Sequence, residues 1–87
     1  MAKILLVDDD AHILEVLCFS LEQAGHEVFQ TGDGEEALLL LQQQSMQLLV
    51  LDVLMPKMSG LSICREVRKT SDIPIIFLSS RNDESDK

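Results

Sequence analysis

The run Leu48-Leu49-Val50-Leu51, closed at once by Asp52, constrains the fold of this chain more than any other stretch. Four consecutive apolar residues without polar alternation read as a strand buried on both faces, the situation of a parallel sheet covered by helices on each side. Pro56 and then Ser59-Gly60 mark a loop, since proline lacks a backbone donor and glycine tolerates conformations other residues avoid. Asp52 therefore ends a buried strand at its carboxyl side, where open α/β sheets place their ligands. A lone aspartate there has a plainer use, accepting hydrogen bonds from nearby backbone N–H groups in a turn. What the rest of the chain brings to the same edge decides between the two.

Taken in order, Lys3 to Val7 reads as a first buried strand running into Asp8-Asp9-Asp10. A helix is expected from about Ala11 to Ala24, with Asp10 as N-cap and Gly25 as its stop. Its apolar stripe is Ile13, Leu14, Leu17, Leu21 and Ala24, with Phe19 on the opposite side of the wheel, either a scattered surface residue or part of a partner-docking patch. Glu27 to Gln30 is a short second strand near a sheet edge. Thr31-Gly32-Asp33-Gly34 is a turn, and Asp33 with Glu36 forms a capping box for a helix that runs to about Gln43 and buries Ala37, Leu38 and Leu41. After the third strand, a helix over roughly Leu61 to Lys69 turns Ile63, Cys64 and Val67 inward. Ile73 to Leu78 is a fourth strand, with Pro74 tolerated at its beginning. Strands alternating with helical segments of about ten residues predict an α/β, doubly wound parallel sheet with right-handed crossovers.

Composition narrows the function. Eighty-seven residues make one small domain, burying only about 60–65% of the surface of its unfolded chain. The formal charge of −8 repels phosphate backbones, and an aromatic content of 3% leaves no stacking platform for bases, so direct nucleic-acid binding by this segment is not expected. No apolar stretch reaches the ~18 residues of a membrane span, and Met1-Ala2-Lys3 leads into too short an apolar run for a signal peptide. A cytoplasmic protein is expected, without membrane contact. Cys18 and Cys64 lack metal-ligand or C-x-x-C spacing and read as reduced packing residues. His12 and His26 have no evident partner and read as surface residues.

All strand C-termini of a parallel sheet share one edge. Here that edge receives Asp8 and Asp9 from the first strand, Asp52 from the third and Ser79 from the fourth. Carboxylates held roughly 4–5 Å apart repel by about 4 kcal/mol per pair at an effective dielectric of 20. Summed over pairs, this rivals the ~5–15 kcal/mol stability of a whole domain, so the cluster must protonate or hold a cation. Hard oxygen ligands at a water-accessible edge suit Mg²⁺. An ionised Asp52 beside that ion has a job as nucleophile toward a phosphoryl group, and Ser79 offers a hydroxyl donor to a phosphoryl oxygen.

Three blocks, Ile4 through Asp10, Leu48 through Gly60, and Ile73-Pro74-Ile75-Ile76-Phe77-Leu78-Ser79-Ser80, resemble the signature stretches of the receiver domain of bacterial two-component response regulators. The resemblance covers the whole chain and implies a flavodoxin-like sheet of strand order 2-1-3-4, continued in the family by a fifth strand and a last helix that these 87 residues lack. It implies that Asp52 accepts a phosphoryl group from a sensor histidine kinase or phosphotransfer protein. It implies, too, that Asp9 and Asp52 ligate Mg²⁺ directly, with Asp8 acting through water and the backbone carbonyl of Leu54 completing the protein ligands. Ser79 becomes the switch hydroxyl. Such a domain is no enzyme in the ordinary sense, catalysing only its own phosphorylation and dephosphorylation. Ser80 to Lys87 resembles more locally the subgroup linked to winged-helix DNA-binding domains. Gln47 departs from the Asp more usual in the family five positions before the acceptor, and Ser80 from a common Ala. The family's phosphate-contacting lysine and aromatic switch residue have no counterpart.

Competing readings differ in chemistry. Gly32-Asp33-Gly34-Glu35-Glu36-Ala37 matches the dinucleotide pattern G-x-G-x-x-A, but Asp33, Glu35 and Glu36 would confront a pyrophosphate with three negative charges. A dehalogenase-like phosphatase needs a second acid two residues after its nucleophile, where this chain has Leu54. The remaining alternative is a phosphorylation-independent receiver-like module for protein binding or dimerisation. The fourth strand, apolar and without charges or bulges, reads as a bare edge. It is expected to be covered by further residues after Lys87 carrying an output domain, or by a partner chain in a homodimer, failing which the monomer is partly molten.

Overall fold

The structure, a computed structural model, describes residues 1–53, 55 and 58–78. Its elements run β1 (Lys3–Val7), α1 (Ala11–Gln23), β2 (Glu27–Thr31), α2 (Gly34–Gln43), β3 (Leu48–Asp52), α3 (Gly60–Arg68) and β4 (Ile75–Leu78). The four strands form one parallel sheet in the order β2-β1-β3-β4. This is the flavodoxin-like arrangement expected, with the two most apolar strands side by side in the middle.

Period-two alternation sorts each central strand between two cores. Leu5, Val7, Leu49 and Leu51 point to one side and pack with Ala37, Ile63, Val67 and Ile73 beneath α2 and α3. Ile4, Leu6 and Val50 point to the other side and pack with Leu14 of α1, helped by Leu17, Cys18 and Leu21. A strand whose every side chain is buried explains the unbroken apolar runs at Leu48–Leu51 and Ile4–Val7.

Asp10 caps α1, its Oδ1 accepting from the backbone N–H groups of His12 at 2.9 Å and Ile13 at 3.4 Å. The turn that closes α1 is completed by Gly25, whose φ of 96° suits a residue without a side chain; Gly25 and His26 donate back to the carbonyls of Glu22 and Leu21. Ala24 lies at this turn and is exposed, not part of the buried stripe as the periodicity suggested, because the helix stops one residue before it. Phe19 is 64% exposed, as expected.

Three further expectations are corrected. Asp33 caps α2 by accepting from Glu35 N–H, but the return arm of the capping box is not made. Thr31 is inserted instead: its hydroxyl donates to Glu36 Oε1 and accepts from Asp33 N–H. The fourth strand begins at Ile75 rather than Ile73, although Ile73 is buried; its N–H is taken by Ser71 Oγ at 3.1 Å and so is not spent on the sheet. His26 is not partnerless, since its Nδ1 accepts from Ala2 N–H at 3.0 Å. Gln47 is structural: its Oε1 accepts from Lys3 N–H and its own N–H donates to Lys3 O. Among the described residues no helix is long and apolar enough to cross a membrane.

Candidate functional site

β1 and β3 pair in parallel register up to Val7 opposite Leu51. One residue further on stand Asp8 and Asp52, in the same parity as Leu6 and Val50. Two apolar rows on the α1 side of the sheet therefore each end in a carboxylate. Asp9 follows directly, and one ligand oxygen each from Asp8, Asp9 and Asp52 falls within 4.8 Å of the others. Asp8 and Asp52 are buried, at 0% and 1% exposure, while Asp9 is exposed and opens the cluster to water.

Neighbouring backbone holds Asp8 from two directions. Its N–H donates to Thr31 O at 3.1 Å, tying the end of β1 to the end of β2. Its Oδ1 accepts from Asp10 N–H at 2.9 Å. Its other oxygen, Oδ2, is buried with no hydrogen-bond partner. Burial is the main reason the Asp8 carboxyl is pushed up from 3.8 to about 6; the Asp10 N–H pulls the other way, and the nearby charges of Asp52 and Asp9 add to the rise. Asp10 thus does more than cap α1, and Thr31 more than end a strand. Neither role was visible in the sequence, where the only hint was a threonine set immediately before Gly32-Asp33.

Three oxygen donors this close carry mutual repulsion unless a positive charge lies among them. A buried acceptor oxygen lacking a donor, beside a second buried carboxylate and a third open to water, fits a small hard cation that keeps part of its hydration. Mg²⁺ meets that description, and Asp8, Asp9 and Asp52 are the side chains that would hold it. With its charge so offset, a carboxylate at this edge is chemically able to attack phosphorus.

Of the residues expected at the site, the fold brings together Asp8, Asp9 and Asp52. Ser79 and the Leu54 carbonyl lie outside the described residues, as does the stretch from Ser80 to Lys87. His12 is exposed, and Cys18 and Cys64 are free thiols, as expected. A cleft of about 630 Å³ opens between the far ends of α2 and α3, over Leu38, Leu41, Val67 and Ile73, and contains none of the acids.

Comparison with known proteins agrees with this geometry. The family model for the response regulator receiver domain matches residues 4–87. The chain is 48% identical over 85 residues to a protein described as a probable transcriptional regulator, ycf27, of Cyanophora paradoxa, covering 98% of this chain and 36% of that one. It is 43% identical over 86 residues to the transcriptional regulatory protein AfsQ1 of Streptomyces coelicolor, covering 99% and 38%. It thus spans little more than a third of the length of these curated relatives. Among solved structures, the chemotaxis protein CheY4 of Vibrio cholerae superposes with a TM-score of 0.89 at 36% identity, over 95% of this chain and 72% of that one. The N-terminal domain of a response regulator receiver protein from Methanoculleus marisnigri does so with a TM-score of 0.88 at 29% identity, over 97% and 71%. With its sheet order, its acid edge and its sequence all in agreement, this chain belongs to the response regulator receiver domain family.

Proposed function

We propose that this chain accepts a phosphoryl group on Asp52 from a phosphohistidine of a sensor histidine kinase or phosphotransfer protein. The observation that carries the reading is the meeting of Asp8, Asp9 and Asp52 within 4.8 Å at the carboxyl ends of β1 and β3. Bound Mg²⁺ would supply the positive charge that offsets the negative charge shared by the carboxylate and the phosphoryl oxygens. An Asp52 oxygen attacks phosphorus, the P–N bond to the donor imidazole breaks, and its electron pair returns to the ring nitrogen, which takes up a proton. The product is an acyl phosphate, and attack by water restores the carboxylate and releases phosphate. Asp8 and Asp9 hold the ion with Asp52 and position the carboxylate. In this reading the Leu54 carbonyl completes the protein ligands, and the Ser79 hydroxyl donates to a phosphoryl oxygen as the switch.

Residues 1–87 act as the receiver portion of a cytoplasmic regulator. The response to phosphorylation belongs to an output domain outside them, of the DNA-binding winged-helix kind if the chain follows its transcriptional relatives. Pairing of two copies is the route by which phosphorylation would reach that output. A phosphate-independent binding module has no use for three clustered carboxylates and leaves their cost unexplained.

Incubation with acetyl phosphate and Mg²⁺ tests the reading by intact mass. One phosphoryl group should appear on the wild-type chain, none without Mg²⁺, and none on Asp52→Asn. Modification that persists on the Asn variant would put the acceptor elsewhere.

A further inference from the structure

We infer that Gly60 is a positioning residue for the Asp52 carboxylate; this rests on the phosphoacceptor reading of Asp52 and deepens it. Gly60 is the first residue of α3, directly after the N-cap Ser59, whose Oγ accepts from Ser62 N–H at 3.2 Å. Nothing about a first helical turn calls for glycine, which is among the poorest helix formers. The reason lies across the chain, at the end of β3. Gly60 is buried, and its N–H donates to Val53 O at 3.0 Å. A Cβ at this position would stand 2.4 Å from the carbonyl oxygen of Asp52, and 3.1 Å from both its carbonyl carbon and Val53 Cα. Those are backbone atoms with no rotamer to change, so any side chain here must move the Asp52–Val53 peptide or the start of α3.

Val53, on the carboxyl side of that peptide, is held at both its N–H and its carbonyl. Val53 N–H donates to Leu78 O on β4 at 3.3 Å, and Val53 O accepts from Gly60. The backbone on the carboxyl side of Asp52 is therefore set between β4 and the first turn of α3. The connection from β3 to α3 has a second point of attachment at Met58, which packs against the start of α2. A Cβ on Gly34 would meet Met58 Sδ and Ile63 Cδ1 at 3.0 Å each. The absence of a side chain at Gly60 lets α3 begin in contact with the residue that carries the chemistry. Mg²⁺ demands near-ideal geometry at about 2.0–2.1 Å, so a backbone shift of several tenths of an ångström at one ligand is felt. In-line attack on phosphorus is comparably sensitive, with about 1 Å of misplacement able to cost on the order of a hundredfold.

The test compares Gly60→Ala with Val67→Ala, which removes buried side chain from the other end of the same helix, far from the acids. Each variant is titrated with Mg²⁺ by its thermal midpoint, and its phosphorylation by acetyl phosphate is timed at a fixed interval below its own melting temperature. Gly60→Ala should raise the Mg²⁺ midpoint and slow phosphorylation by about tenfold or more, while Val67→Ala loses melting temperature with both quantities within about twofold of wild type. A folded Gly60→Ala with both quantities unchanged overturns the inference, as does a Val67→Ala that shifts both equally, which would make the effect one of stability alone. If Gly60→Ala does not fold, Gly34→Ala takes its place. It presses the same connection through the flexible ends of Met58 and Ile63, and should shift the Mg²⁺ midpoint about two- to fivefold; no shift overturns the inference. A wild-type chain that neither responds to Mg²⁺ nor takes up a phosphoryl group removes the phosphoacceptor reading and this inference with it. An active wild type with a normal Gly60→Ala removes the inference alone.

Discussion

The two faces of the sheet are built from alternate residues of the same strands and yet are covered unequally. On the α2 and α3 side, Leu5, Val7, Leu49 and Leu51 meet two helices and the buried Ile73. On the α1 side, Ile4, Leu6 and Val50 meet one helix, through Leu14 and the half-buried Leu17 and Leu21. The difference shows at the start of β4, where Ile75, opposite Leu49, packs into the first core and Ile76, opposite Val50, is 51% exposed; at the end of the strand it reverses, with Phe77 39% exposed and Leu78 packed against the second core. The acids continue the rows of the lightly covered side. One face holds the sheet together, and the other carries at its end the groups that must reach water and ligands.

Leu5 and Leu6 offer a matched way to break this comparison, being adjacent, identical in type and both buried, at 0% and 1% exposure. Leu5→Ala opens a cavity between sheet, α2 and α3, and should cost about 4 kcal/mol, close to the whole stability of a domain this size. Leu6→Ala opens toward α1, which has no second described helix beside it on that face and can settle inward, so about 3 kcal/mol is expected. Denaturant unfolding measures both. Equal losses would mean that α1 is held as rigidly as α2 and α3, and that the faces differ only in coverage.

The carboxylate cluster gives an effect of the opposite sign. Burial pushes the Asp8 carboxyl up to about 6 in the fold from an ordinary 3.8, so between those values the native chain binds more protons than the unfolded one. Stability from this group is therefore fully present below about pH 3.8 and is lost as pH rises through about 6. The full shift corresponds to about 3 kcal/mol, which water at the open edge beside Asp9 reduces to ~1–2 kcal/mol. In metal-free buffer at neutral pH or above, Asp8→Asn should raise stability by that amount, a gain of several degrees in melting temperature. The difference between variant and wild type should vanish at acidic pH, and Mg²⁺ should stabilise the wild type more than the variant. An Asn variant less stable than wild type at pH 8 without metal would show that the fold uses the Asp8 charge, contrary to the geometry at its orphaned Oδ2.

Most of this layout was legible in the sequence because burial on both faces leaves a strong mark. The runs Ile4–Val7 and Leu48–Leu51 admit no polar residue, and each breaks into aspartate at the point where the sheet ends, so Asp8, Asp9 and Asp52 could be placed at one edge before any coordinates. Periodicity also sorted Leu14 and Leu17 from Phe19 on α1. The failures share a cause: they depend on which of several competent partners a polar group takes. Glu36 could have closed a capping box on Asp33 N–H, but Thr31 Oγ1 lies between them and satisfies both. His26 found Ala2 N–H across the start of the sheet, a pairing that no local pattern encodes. Ile73 has the composition of a strand residue, yet Ser71 captures its N–H. Gly60 looked like loop punctuation; its cause is a contact with the Asp52 carbonyl that exists only once β3 and α3 are in place.

The smallest expected effect is the sharpest check on unequal coverage. Ile76 lies on the α1 side of an edge strand and is half exposed, so its side chain gains little from folding. Ile76→Thr keeps the branch at Cβ, and with it the preference for extended backbone, while replacing an ethyl group by a hydroxyl that water can reach. A change of about 0.5 kcal/mol or less is expected. The same substitution at Ile75, which packs against the buried core on the other side, puts a hydroxyl among apolar neighbours and should cost about 1–2 kcal/mol. The two residues are neighbours in one short strand, so backbone pairing and strand propensity cancel in the comparison and only the covering of each face remains. If Ile76→Thr costs as much as Ile75→Thr, something packs on the α1 side of β4 in the folded protein in solution. That cover would be sought first by light scattering, to see whether two copies of the chain bring their exposed edges together.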